Sequence, residues 1–142
     1  MKILVKAISG LTMAAVLATS VHAEDSELMA KFGGREQLQK MTDEFVDVLF
    51  GDPRIKEKFA HADAGKLKVL LGLQFCQLID NSCPYPGKDM RTAHTGREIS
   101  NADFNALAED LQIVFAKHGV PFAAQNKLVA KLAPMQRDVV TK

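Results

Sequence analysis

Strand signals are missing from this 142-residue chain. No stretch alternates apolar and polar residues for long, and neither Asn-Gly nor Asp-Gly occurs to turn a hairpin. A β-rich fold is therefore excluded. Net charge is missing too, with 18 basic against 17 acidic residues. The basic residues are scattered and form no stripe, so nothing argues for nucleic acid as a partner. No repeat or low-complexity segment is present. Cysteine is scarce: Cys76 and Cys83 are the only two. Histidine numbers four, with no pair at metal-site spacing. A zinc site needs three or four ligands, and His61, His94 and His118 are too far apart in sequence to signal one.

Long apolar runs are also lacking, except at the start. Lys2 and Lys6 precede the uncharged run Ala7 to Thr19, and Val21-His22-Ala23 ends it in small-x-small form before Glu24-Asp25. The run has the length of a secretory h-region and is short for a bilayer span. Residues 1–23 are read as a cleaved signal peptide, and residues 24–142 as one domain. Without Lys2 and Lys6 the mature chain holds 16 basic and 17 acidic residues. It is expected to be exported, to the periplasm of a bacterium, without stable membrane insertion after cleavage. In an oxidising compartment two cysteines seven apart can close a disulfide, but spacing cannot give the distance, so a buried Cys76 with a free Cys83 stays open.

What fills the mature chain is helical spacing. A short first segment, Glu27 to Phe32, ends at Gly33-Gly34. The next helix starts near Arg35, puts Leu38, Met41, Phe45 and Leu49 on one face, and stops at Gly51-Asp52-Pro53. A short piece follows at Ile55 to Phe59. A helix over about Ala64 to Ile79 is apolar on nearly every side and must be covered on more than one face. Ser100, with Asp103 three residues later, opens a helix carrying Phe104, Leu107, Leu111, Val114 and Phe115. Gly119 caps it, and Pro121 opens the last helix, where Pro134 predicts a kink or break. The fold class is all-α.

One segment does not fit a packing account. Met90 to His94 lies between two loops, is barely long enough for a helix, and has few apolar residues. His94 within it could serve as an acid or base, as a surface or capping residue, or as the single protein ligand of a haem iron, where the porphyrin supplies four bonds. Only the last use needs one histidine and a large apolar slot.

A set of short motifs in fixed order bears on that choice. They are Phe32-Gly33-Gly34, Asp52-Pro53-Arg54, Phe59, Pro84-Tyr85-Pro86-Gly87, Met90-Arg91-Thr92-Ala93-His94-Thr95-Gly96, Ile99-Ser100 with Phe104, Gly119-Val120-Pro121, Leu132-Ala133-Pro134 and Asp138-Val139-Val140. From Leu28 to Val140 the chain resembles the group I truncated haemoglobins, with no large gap. The resemblance implies a truncated globin fold, a two-over-two helical sandwich around haem b. It implies His94 as proximal iron ligand, Phe59 as the residue stacked on the porphyrin, and Leu67, Leu71 and Phe75 on the haem-facing side of the distal helix. Spacing independently puts the last three on one stripe, although plain core packing would use the same stripe. Lys66 is next to the position where a basic residue often meets a haem propionate. Met90 and Tyr85 are expected near the proximal side.

Two departures matter. Val46 follows Phe45 where the family has its distal tyrosine, and Leu71 stands where it often has glutamine. Both usual donors to bound oxygen are replaced by apolar residues. Gln74, three positions on, should point roughly 60° away from Leu71 and is a doubtful substitute. His61, between Phe59 and the distal helix, would make a six-coordinate iron if its corner folded inward; a solvated histidine is the plainer account. The implied function is reversible binding of oxygen, nitric oxide or carbon monoxide. Rival readings are a haem redox enzyme, such as a nitric oxide dioxygenase served by a reductase, and a haem-free helical module holding a lipid or a partner.

Overall fold

The computed structural model describes residues 16–142, with only the backbone given for residues 16–22. The basic residues Lys2 and Lys6, and most of the apolar run, lie outside this range. Among the described residues seven α-helices follow in order: α1 (Val16–Lys31), α2 (Gly34–Gly51), α3 (Ala64–Asp80), α4 (Met90–His94), α5 (Asn101–Lys117), α6 (Phe122–Leu132) and α7 (Gln136–Val139). Short 3-10 turns cover Lys56–Phe59 and Ala133–Met135. Among the described residues there is no strand, and no helix is long and apolar enough to cross a membrane.

The first helix corrects the short segment expected from Glu27. It is continuous from Val16 through Ala23 to Lys31. Nothing in Ala23-Glu24-Asp25-Ser26-Glu27 breaks a helix, since glycine and proline are absent there. The other boundaries follow local chemistry. Ser100 and Asp103 form a complete capping box at α5. Pro134 ends α6: the chain tightens to a 3-10 turn over Ala133–Met135 before α7.

The core is built where α3 meets α1 and α2, and where α2 meets α5. Leu38, Met41, Phe45 and Leu49 are all buried, as the face of α2 requires. Four phenylalanines link the helices in a row. Phe32 meets Phe115 at 5.1 Å and 73°, Phe115 meets Phe75 at 6.4 Å, and Phe75 meets Phe45 at 6.2 Å. Edge-on and tilted rings at such spacings gain beyond their area burial. Gly72 brings α2 close to α3, because the Gln39 side chain occupies the place a Cβ would take. Gln39 then donates to Asp43 at 2.8 Å and to the Lys68 carbonyl at 3.2 Å.

Cys76 and Cys83 are bonded to each other, which settles the open pairing. The bridge ties the last turns of α3 to the loop leading to α4. Closing a loop of this size removes about 2.5 kcal/mol of unfolded-chain entropy. Reduction with a dithiol, or Cys83→Ser, is therefore expected to lower unfolding free energy by about 2 kcal/mol. Urea melts with and without reductant test this; coincident curves would contradict it.

Candidate functional site

The segment holding His94 is a five-residue helix with no buried residue. Its order comes from its ends. Asp89 caps it, accepting from Thr92 N–H at 2.9 Å and from the Thr92 hydroxyl at 2.7 Å. These bonds hold the Asp89 carboxyl below the usual carboxylate range. Arg91 reaches Asp138 of α7 at 2.7 Å, and α4 packs against α7. Gly96 has φ +75°, so the chain turns away at once in a conformation glycine accepts freely. Beyond it, Ile99 is pinned by the C-terminus: Thr141 N–H donates to its carbonyl at 2.8 Å. Lys58 adds a bond to the Glu98 carbonyl at 2.9 Å.

His94 itself is part-buried, and its Nδ1 lies 2.7 Å from the Met90 carbonyl oxygen. A carbonyl only accepts, so Nδ1–H is the donor, and in the neutral ring Nε2 then carries the lone pair. That tautomer suits metal ligation, and a carbonyl partner on the far nitrogen is a common way to orient a ligating histidine. Among the described residues no three His, Cys, Asp or Glu side chains gather for a metal. A group that needs one protein ligand fits this donor set; one held by protein ligands alone does not.

The other side chains fall into three groups. Leu67 and Leu71 of α3, Phe59 and Met90 are half-buried apolar residues. Phe59 ends its 3-10 turn with its ring 5.6 Å from that of Phe50. Val46 and Phe75 are deeper. Val46 is 0% exposed on α2, and Phe75 packs between Phe45 and Phe115 in the core row. Lys66 and His61 are exposed; Lys66 uses its backbone N–H on the Asp63 cap at 2.8 Å. Tyr85 is half-buried in the loop, donating to the Lys88 carbonyl at 3.1 Å.

Two contacts escaped the sequence. Gln74 is buried and its amide lies 3.5 Å from Met90 Sδ and 3.7 Å from Met135 Sδ. Its polarity on an otherwise apolar helix was the available signal. Phe50, the ring partner of Phe59, carried none. Two surface hollows lie away from His94: one of ≈ 390 Å³ beside Arg54, Asp103 and Glu109, the other of ≈ 410 Å³ beside Glu24, Leu28 and Lys127.

Arg54 spans the corner after α2. It bonds Asp52 at 2.8 Å and the buried Asp110 of α5 at 3.2 Å. Asp110 Oδ2 is buried without a partner, alone in this among the described side chains. Burial, then the neighbouring Asp52, push the Asp110 carboxyl up to about 6. Hydrogen bonds from Arg54 hold Asp52 down, to about 2. The signs are opposite. Asp52 adds stability as pH rises from about 2 to about 4. The folded chain binds the Asp110 proton more tightly than the unfolded chain, so its contribution falls from about pH 4 to about pH 6. Asp110→Asn is expected to flatten that decline. Urea midpoints at pH 4, 5 and 6 check it, and identical slopes in both proteins would refute it.

The family model of the bacterial-like globins matches residues 27–141. A group 1 truncated hemoglobin of Chlamydomonas moewusii is 33% identical over 118 residues, covering 80% of this chain and 67% of that protein. One from Mycolicibacterium paratuberculosis is 25% identical over 126 residues, 89% of this chain and 93% of its own. The ferric truncated hemoglobin of Tetrahymena pyriformis superposes with a TM-score of 0.77 at 24% identity, over 81% of this chain and 98% of its own, which gives the two-on-two helical globin fold. The chain belongs to the bacterial-like globins, as a group 1 truncated haemoglobin.

Proposed function

We propose that this protein binds haem b through His94 and uses it to bind a diatomic gas reversibly. The observation that carries the reading is the His94 ring: Nδ1–H is engaged by the Met90 carbonyl at 2.7 Å, which leaves the Nε2 lone pair for iron. Leu67 and Leu71 supply a half-buried apolar stripe on α3, with Phe75 and Val46 behind it and Phe59 and Met90 as further apolar walls. Lys66, exposed at the start of α3, is the basic side chain we assign to a haem propionate. His61 is also exposed, so a second iron ligand from that corner requires the turn to move. The haem, when bound, supplies the iron that takes the gas; the chain's residues set what stabilises it there.

On the distal side that help is small. Val46 and Leu71 offer no donor. A hydrogen bond to a partly charged acceptor contributes about 1.5–3 kcal/mol, so its loss weakens oxygen retention by roughly one to two orders of magnitude. Carbon monoxide and nitric oxide are less polar when bound and lose less. Haem added to the protein is expected to give a strong porphyrin band with a histidine-ligated spectrum, lost in His94→Gly. Leu71→Gln is expected to slow oxygen release roughly tenfold or more while changing carbon monoxide release less. A protein that takes up no haem, or a natural oxygen off-rate already as slow as the variant's, would defeat the respective claim.

We also propose export, with residues 1–23 removed. Lys2, Lys6, the uncharged run and Val21-His22-Ala23 support it, and the Cys76–Cys83 bridge suits an oxidising compartment. Cleavage after Ala23 would shorten α1 and keep Leu28, Met29 and Phe32, its buried residues and the one that follows. Mass spectrometry of the protein from the periplasmic fraction should find a chain starting at Glu24; an intact N-terminus in the cytosolic fraction would reject it.

A further inference from the structure

Gln74 is the buried polar side chain of α3, 6% exposed on a helix that also buries Phe75, Cys76 and Ile79. A buried amide needs good partners. The N–H bonds it makes go instead to two thioether sulfurs, Met90 Sδ at 3.5 Å and Met135 Sδ at 3.7 Å, and thioethers are weak acceptors. The two methionines belong to different elements. Met90 is the first residue of α4, and Met135 closes the 3-10 turn between α6 and α7. One amide thus joins the distal helix, the proximal helix and the C-terminal segment. Met90 is also the residue whose carbonyl holds His94 Nδ1. Its side chain is gripped from above while its backbone orients the histidine.

We propose that Gln74 is a positioning residue for His94, acting through Met90. The helix it steadies has no buried residue; besides local bonds from Thr95 and Arg97 to its own carbonyls, its side-chain anchors are the Asp89 cap and the exposed Arg91–Asp138 pair. An exposed ion pair contributes little, so the inner contact at Met90 carries a large share of the placement. When Met90 shifts, its carbonyl shifts, and the imidazole turns with it. The role of His94 as iron ligand is taken from the reading above; the grip of Gln74 on α4 is independent of it.

The test is a double-mutant cycle of Gln74→Leu and Met90→Leu, with Gln74→Met as a second variant that keeps the unbranched shape. Two quantities are read. One is amide exchange at Ala93 and Thr95, whose N–H groups bond Asp89 and Arg91 within α4, in the haem-free protein. The other is the iron–histidine stretching band of the haem-loaded ferrous protein. Each Gln74 variant is expected to speed exchange roughly two- to tenfold and to shift or broaden the band. The same change in a Met90→Leu background should add nothing. Unchanged exchange would overturn the proposal, as would effects of the two sites that simply add. So would altered oxygen release with a shifted C–O stretch and an unmoved iron–histidine band, which would make Gln74 a donor to the bound gas. Absence of any haem spectrum would fault the haem reading alone, since the exchange rates still judge the grip.

Discussion

The hydrogen bond from His94 Nδ1–H to the Met90 carbonyl is the contact on which the functional half of this fold depends. It joins the first and last residues of α4, so ring and helix keep their shape together. A helix of one turn and a half cannot persist alone, because nucleation costs more than so few bonds return. Here the missing stability comes from outside: the Asp89 cap, Arg91 on Asp138, Thr141 on Ile99, and the disulfide that shortens the tether from α3. Each is local or weak, and together they leave a segment that is placed but only marginally stable. Coordination to a metal is the kind of strong bond that such a segment can use.

The opposite side is built differently. α3 is locked by the phenylalanine row, by its close approach to α2 at Gly72, and by the Asp63 cap. It is a long helix with a firm core face and a softer face of half-buried leucines. A firmly packed helix thus contrasts with a short, externally braced segment, and Gln74 links the two through Met90. Under the proposed function, discrimination among ligands would come from the apolar residues of α3 and placement of His94 from the brace.

Much of this was legible because its causes are local. The apolar face of α2 follows from Leu38, Met41, Phe45 and Leu49, and the start of α5 from Ser100 and Asp103; both are fixed within a few residues. The break at Pro134 needs only proline's ring. What stayed hidden depends on distance across the fold. Cys76 and Cys83 could pair or not until the loop's path was known. The Asp110 carboxyl owes its state to burial and to Asp52, which the corner after α2 brings beside it from far earlier in the chain. The roughly 60° offset of Gln74 from Leu71 bears on its use as an oxygen donor and says nothing of where its amide ends. An angle on a helical wheel says where a side chain leaves the backbone, and a glutamine has enough length to end elsewhere, here on two sulfurs.

That last contact links the two sides in a definite way. Leu67, Leu71 and Gln74 share one helix, and Gln74 touches the residue whose carbonyl holds His94. A small displacement of the Gln74 side chain would therefore reach the imidazole through Met90. The thioether suits such a joint. It is polarisable and flexible, so it yields over short displacements where a second amide or a carboxylate would hold or break. On this reading the chain lacks a strong distal donor, and one buried amide ties α3 to the residue that orients His94.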